Sequence, residues 1–321
     1  MRIVVLDDYQ RVARAYGDFD SLPEADVEVL HEHVADRDAL VAALQDAEVV
    51  VAMRERTAFP AEVFERLPKL RLLVTTGMAN AAVDVAAAAA HGVTISGTMM
   101  YGNTKSSNTA ELTWALILAC RRHVVAEDRA LRDGRWQTTV GTDLAGSTLG
   151  VLGLGRMGTQ VARIGRAFDM RVIAWSENLT AERAAEAGAT LVSREELFAG
   201  SDVLTVHLKL SERTTGLVGA AEFAAMKPSA VLVNTSRGPI VDEAALVAAL
   251  TAGSIAGAGL DVYNVEPLPP GNPLRGAPRT VLLPHLGYVT EASLRGMYQQ
   301  VVEDIAAWQA GAPVRVLAPP A

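Results

Sequence analysis

Apolar residues recur along this chain in two rhythms. Short runs rich in Val, Ile and Leu at 2–6, 27–30, 48–52, 70–74 and 93–95 predict strands. Between them, 38–44, 61–67 and 83–91 carry apolar residues at helical spacing. Strand and helix alternating in this way predict a parallel sheet with helices on its faces. A polar stretch at 101–108 then opens one long predicted helix, over about 109–132, followed by a loop at 134–147. From Thr148 a second series begins, with strands expected at 149–152, 171–175, 203–207, 230–234, 257–262 and 280–283. Helices are expected at 157–168, 181–187, 194–198 and 243–250. Six strands in about 140 residues is the size of a complete doubly wound domain. A last helix at 291–310 leads into a Pro-rich tail expected to fray. The fold class is therefore α/β, with two doubly wound parallel-sheet domains.

Composition narrows the function classes. The 321 residues are 50% hydrophobic and 21% charged, which is globular and not disordered. A formal charge of -8 argues against a nucleic-acid partner held through phosphates. Cys120 is the one cysteine and sits in an apolar run, so it reads as a small core residue, with no disulfide framework. No uncharged apolar run approaches the roughly 18 residues of a membrane span. Met1 to Asp8 reads as a strand and not as a secretory leader, so the expected location is cytoplasmic. His31, His33, His91 and His123 have no metal-ligand spacing, and no metal is expected.

Chemistry first shows at Gly153, Gly155 and Gly158, a G-x-G-x-x-G that follows a predicted strand and opens a predicted helix. Gly153 suits the tight turn, Gly155 lets backbone approach a pyrophosphate, and Gly158 lets helix and strand pack closely. The helix start, with Arg156 and Met157, would present N–H groups and a partial positive charge to the phosphates. About twenty residues on, the next strand ends in Ser176 and Glu177. An acidic residue there would bond the ribose and repel a 2′-phosphate, so NAD is expected, with NADP left open.

Three polar segments follow strands of the second series, at the edge where ligands bind in open α/β sheets: 234–238, 261–267 and 284–287. They bring an Arg, a Glu and a His to one edge. With the glycine fingerprint, Asn234-Thr-Ser-Arg-Gly-Pro-Ile-Val-Asp242, Asp261-x4-Glu266-Pro267 and Pro284-His285-x-Gly287, the chain resembles the D-isomer-specific 2-hydroxy acid dehydrogenases from end to end.

The resemblance implies a Rossmann-type NAD-binding domain, 102–289, inserted into a flavodoxin-like substrate domain of 1–101 and 290–321. It implies hydride transfer between NAD(P)H and a small 2-oxo acid, or the reverse from the D-2-hydroxy acid. His285 would be the acid and base, Glu266 its partner on the other ring nitrogen, and Arg237 the anchor of the substrate carboxylate. Asp261 would contact the nicotinamide end, and His207 would line the adenine. Thr235, Ser236 and Gly287 complete the expected cofactor contacts. In the first domain, Gly77, Met78 and Ala79 match the family's substrate loop, with Ala79 in place of a usual glycine. Arg54 and Arg56 lie where some relatives touch the far end of the substrate; pairing with Glu55 or Glu62 is the plainer alternative. A homodimer through the helix beginning near Thr109 is also implied, with Trp114, Leu116, Ile117 and Leu118 on its apolar faces. Two other functions stay open on this scaffold: a formate-type dehydrogenase, disfavoured by Glu266 where those relatives carry glutamine, and a cofactor-sensing binding protein or corepressor.

Overall fold

The computed structural model describes residues 1–99 and 107–318, so most of the expected polar stretch at 101–108 lies outside the described residues. The chain divides into two compact units, one of 1–106 with 289–321 and the other of 107–288.

The first unit holds β1 (Arg2–Val5), α1 (Ala13–Tyr16), β2 (Asp26–Val29), α2 (Arg37–Leu44), β3 (Val49–Ala52), α3 (Ala61–Glu65), β4 (Leu72–Thr75), α4 (Val85–Ala90) and β5 (Thr94–Gly97). Its five strands are parallel, in the order β2-β1-β3-β4-β5. β3 and β4 are buried at every position, because helices cover both faces, and so they read as unbroken apolar runs. Leu44, Phe59, Val63, Phe64 and Leu73 pack the core on one side.

The second unit begins with α5 (Asn108–Arg121) and α6 (Val124–Arg132), then β6 (Thr148–Leu152), α7 (Arg156–Ala167), β7 (Arg171–Trp175), α8 (Ala181–Glu186), β8 (Thr190–Leu191) and α9 (Arg194–Gly200). It continues through β9 (Val203–Val206), α10 (Ala220–Ala225), β10 (Val231–Asn234), α11 (Glu243–Ala252), β11 (Gly257–Leu260) and β12 (Thr280–Leu282). Its seven parallel strands run β12-β11-β10-β9-β6-β7-β8. The order reverses beside β6, which is the doubly wound switch point. The chain then returns to the first unit with α12 (Glu291–Gln309).

Both sheets are thus parallel and doubly wound, as the apolar rhythm predicts, but three expectations need correction. The single helix over 109–132 is two helices, broken at His123, whose φ of 52° is left-handed and interrupts the ladder. Apolar spacing continues across the break, and no Gly or Pro marks it. The tail does not fray as far as Leu317: Val316 bridges Ser96, Leu317 N–H donates to Ile95 O at 2.8 Å, and Gly97 N–H donates to Arg315 O at 3.0 Å. Its backbone is held on the open edge of β5, and Arg315 pairs with buried Asp304 at 2.9 Å. Finally, α1, β8 and α10 stand where the pattern predicts no element, and α1 and β8 are too short to show a period.

Candidate active site

In the second unit the site is built at the carboxyl edge of β10, β11 and β12. Asn234, the last residue of β10, accepts the Ser236 N–H on Oδ1 and donates from Nδ2 to Arg237 O, both at 3.0 Å. That side chain shapes the turn presenting Arg237, whose own Nη1 donates to Ser236 O at 2.8 Å. Gly238 follows. A Cβ there would lie 2.0 Å from the Tyr263 carbonyl carbon, so the Arg237 turn is pressed onto the 261–266 loop. Only a residue without a side chain permits that approach.

On that loop, Glu266 is held at both oxygens. Oε1 accepts the Tyr263 N–H at 2.8 Å, and Oε2 lies 2.5 Å from His285 Nδ1. His285 has a left-handed backbone, φ 56°, and its ring edge meets Tyr288 at 5.5 Å. A non-glycine residue held in this conformation needs a surround that over-determines it. With a carboxylate on Nδ1, that nitrogen carries the proton in the neutral ring and Nε2 is the acceptor. His285 and Glu266 each keep about a quarter of their side-chain surface open, 23% and 26%.

Asp261 supplies much of the surround. It is fully buried, and its two oxygens accept the Leu286 and Gly287 N–H groups at 2.7 and 2.8 Å. Burial pushes its carboxyl up to about 6, with the two N–H bonds and nearby His285 pulling the other way. Thr109 of α5 donates to Gly287 O at 2.9 Å, and Thr113, one turn on, shares a 2.8 Å hydroxyl contact with Thr235. Sequence reasoning missed both threonines, and it quoted Asn234 within the motif without giving it a role. The spacing of Thr109 and Thr113 on one helix face is the signal that was there to find.

At the switch point the glycines sit as their spacing predicts. Gly153 has φ 101°, and a side chain there would strike the His207 and Leu208 backbone. A Cβ on Gly158 would lie 2.1 Å from Gly153 O, so α7 packs hard on the turn. Gly155 differs, since a Cβ there would meet nothing within 4 Å. No side chain caps the start of α7, where Arg156 and Met157 stand. His207 pairs with the Thr205 hydroxyl, and burial pulls its pKa down to about 4, so the ring is neutral at physiological pH. Ser236 gives its hydroxyl to Leu208 O. Ser176 is half-buried beyond β7, and Glu177 is exposed beside it.

In the first unit, Thr76, Gly77, Met78 and Ala79 follow β4. Arg54, left-handed with φ 52°, donates its N–H to Thr76 Oγ1 at 2.9 Å and its Nη1 to Thr76 O at 3.2 Å. Its guanidinium occupies the space a Gly77 side chain would need. Asn80 donates to Arg54 O at 2.7 Å and to Thr75 Oγ1 at 2.8 Å, locking turn and loop together. Arg54 lies 3.5 Å from Glu55. Arg56 instead donates to Asp7 O at 2.7 Å and covers the Tyr9 ring at 4.4 Å. Glu62 pairs with Arg37 and with neither. Trp114, Leu116 and Ile117 are buried within their own unit, which accounts for the apolar richness of α5 by packing on its own domain. Among the described residues, no three His, Cys, Asp or Glu side chains gather as a metal site.

Residues 114–287 match the family model for the D-isomer specific 2-hydroxyacid dehydrogenase, NAD binding domain. The chain belongs to the D-isomer-specific 2-hydroxyacid dehydrogenase family. It is 36% identical to a glyoxylate reductase of Korarchaeum cryptofilum, over 88% of this chain and 83% of that protein. It is 38% identical to a D-3-phosphoglycerate dehydrogenase of Archaeoglobus fulgidus, over 87% of this chain but 53% of that longer protein. The crystal structure of a phosphoglycerate oxidoreductase from Vibrio cholerae superposes with a TM-score of 0.91 at 36% identity, covering 97% of this chain and 100% of that one.

As a member of this dehydrogenase family the protein is an oxidoreductase that acts on CH–OH groups with a nicotinamide cofactor. The fingerprint fits that group on geometry alone. The space open at Gly155 and the uncapped start of a 12-residue helix form a ready cradle for a pyrophosphate.

Proposed function

We propose that the protein reduces a 2-oxo acid to the D-2-hydroxy acid, or runs the reverse, with His285 as proton donor and acceptor. The observation that carries this reading is the 2.5 Å contact between His285 Nδ1 and Glu266, at the carboxyl edge of the fingerprint's own sheet. When bound, the nicotinamide supplies or takes the hydride. Negative charge then develops on the substrate carbonyl oxygen, and His285 Nε2 delivers a proton to it. Glu266 holds the ring in the needed tautomer and balances the imidazolium. Arg237, on its Asn234-shaped turn, holds the substrate carboxylate with a planar fork. In the first unit, the Gly77, Met78 and Ala79 loop is read as a carboxylate-binding loop through its backbone N–H groups, and Arg54, bedded against Gly77, adds positive charge to it.

Cofactor contacts fall to the start of α7 (Gly153, Gly155, Arg156, Met157 and Gly158), to Ser176 and Glu177 at the ribose, and to neutral His207 at the adenine. Thr235, Ser236 and Gly287 lie at the strand ends beside the reacting face, with Asp261 bracing the histidine loop. Glu177, exposed at the end of β7, favours NAD over NADP. The unit of 1–106 and 289–321 is read as the substrate domain, that of 107–288 as the cofactor domain, and the cytoplasm as the working compartment.

A homodimer is part of this reading, through α6 and the segment after it. Trp136 and Val140 are 76% and 90% exposed there, beside exposed Val124, Val125 and Leu131. Light scattering that finds only monomer would exclude it. For the activity, purified protein is given NADH or NADPH with a panel of 2-oxo acids, and the product's configuration is determined. Oxidation of NADH with formation of the D isomer supports the reading; tight cofactor binding without turnover of any acid refutes it.

A further inference from the structure

The first unit's sheet presents exposed apolar side chains at the edge where a substrate's side chain would lie. Three large apolar side chains of this unit stand exposed just past strand ends, all at one edge: Tyr9 after β1, Met78 after β4 and Met99 after β5, at 38%, 46% and 46%. Exposed apolar side chains gathered at a ligand-binding edge mark a recognition surface more than chance does. They are held in place. Tyr9 donates its hydroxyl to Asp7 at 3.2 Å while Arg56 covers its ring. Gly97, at the end of β5, lies against the loop so closely that a Cβ would sit 3.3 Å from Met78 Cα. Met99 exchanges both backbone hydrogen bonds with Gln300, at 2.8 and 3.0 Å.

The charges at this edge do not favour a second anion. Arg54 lies against Glu55, and Arg56 gives a hydrogen bond to the Asp7 carbonyl while its guanidinium covers the Tyr9 ring. Asp7 is itself fixed by the Thr57 hydroxyl at 2.6 Å and by His33 Nδ1 at 3.1 Å. One carboxylate bound at the Gly77 loop uses the Arg54 charge, and a further phosphate or carboxylate would have to compete for Arg56 with the Asp7 carbonyl and the Tyr9 ring.

We propose that the substrate is a 2-oxo acid with one carboxylate and an apolar substituent at C3, aliphatic or aromatic, that packs on Met78 and Tyr9. This rests on the 2-oxo acid reading above. It separates the chain from a dehydrogenase of phosphorylated or dicarboxylic acids, whose far end would need a cationic pocket.

The test is kcat/KM for NADH-dependent reduction of glyoxylate, pyruvate, a straight-chain series, 4-methyl-2-oxopentanoate, phenylpyruvate, 2-oxoglutarate and 3-phosphohydroxypyruvate. The expected result is a rise of roughly fourfold for each buried methylene, with both dianionic acids at least about tenfold below the best apolar acid. Tyr9→Ser and Met78→Ser, checked for folding by circular dichroism, should each shrink the preference for the best apolar acid over glyoxylate by about tenfold, and Met78→Leu should retain it. Dianionic acids or glyoxylate equal to or better than the apolar acids would overturn the proposal. So would a preference unmoved in both serine variants; if neither folds, the wild-type panel decides. Turnover confined to glyoxylate sinks this inference alone, whereas silence with every acid sinks the parent reading and this one with it.

Discussion

Glu266 touches His285 with one carboxylate oxygen and the Tyr263 backbone with the other, so the histidine's partner is itself fixed in position. Glu266→Gln keeps an acceptor for the Tyr263 N–H but faces His285 Nδ1 with an NH2 donor, so it both upsets the ring's tautomer and removes the negative charge that balances an imidazolium. We expect kcat to fall by about 10- to 100-fold, with the affinity for NADH within about twofold. Steady-state rates and fluorescence titration of NADH check this; an unchanged kcat would show that the pair is structural.

Asp261 ties the strand β11 to the histidine loop through two N–H bonds, and burial places its carboxyl at about 6. Its folded-state pKa is raised, so it takes up a proton as pH falls through about 6. A protonated carboxyl accepts less well from Leu286 and Gly287. The loop then loosens, and kcat/KM should decline on the acid side with a midpoint near that value. Asp261→Asn should be slow at every pH and lack this limb. A limb that survives the substitution belongs to another group.

Gly155 can be replaced without harming the fold, because a Cβ there meets nothing within 4 Å and its φ of -82° suits any residue. The new methyl would instead stand where a pyrophosphate must approach. Gly155→Ala should therefore weaken NADH binding by about tenfold or more, while the melting temperature without cofactor moves by no more than about 2 °C. Calorimetry gives both quantities. Unimpaired binding would mean that the phosphates do not lie over this turn.

Much of this was legible in the residues, and the remainder has physical reasons for being silent. The parallel sheets announce themselves because a strand buried on both faces is an unbroken apolar run, as at Val49–Ala52 and Leu72–Thr75. The positions of Gly153, Arg237, Glu266 and His285 were legible because each follows such a run. What could not be read is the support around them. Asp261 reaches Leu286 across 25 residues, and Thr113 meets Thr235 across 122, leaving no periodic mark. The break at His123 has no Gly or Pro to flag it, and the left-handed backbone His123 adopts is uncommon for any non-glycine residue. The apolar richness of α5 pointed outward in expectation, but Trp114 and Ile117 are spent on their own unit.

Asp304 gives a stability prediction independent of catalysis. Burial raises its carboxyl to about 7 even with Arg315 at 2.9 Å, and its Oδ2 has no hydrogen-bond partner among the described residues. A carboxyl raised in the folded state favours folding most when protonated. Its contribution is full below the ordinary carboxylate range and is lost as pH rises through about 7. The melting temperature of the wild type should drop more between pH 5 and 8 than that of Asp304→Asn. Parallel pH series of the two proteins test this; equal slopes would assign the dependence elsewhere.

The central claim is that His285 moves the proton in reduction of a 2-oxo acid. It is tested most directly by comparing wild type and His285→Ala, each saturated with NADH, on the best acid of the panel. The expected result is a loss of turnover of about 100-fold or more, with the NADH dissociation constant within about twofold and the fold intact. Near-normal turnover in His285→Ala would contradict the account, whatever else the site residues do.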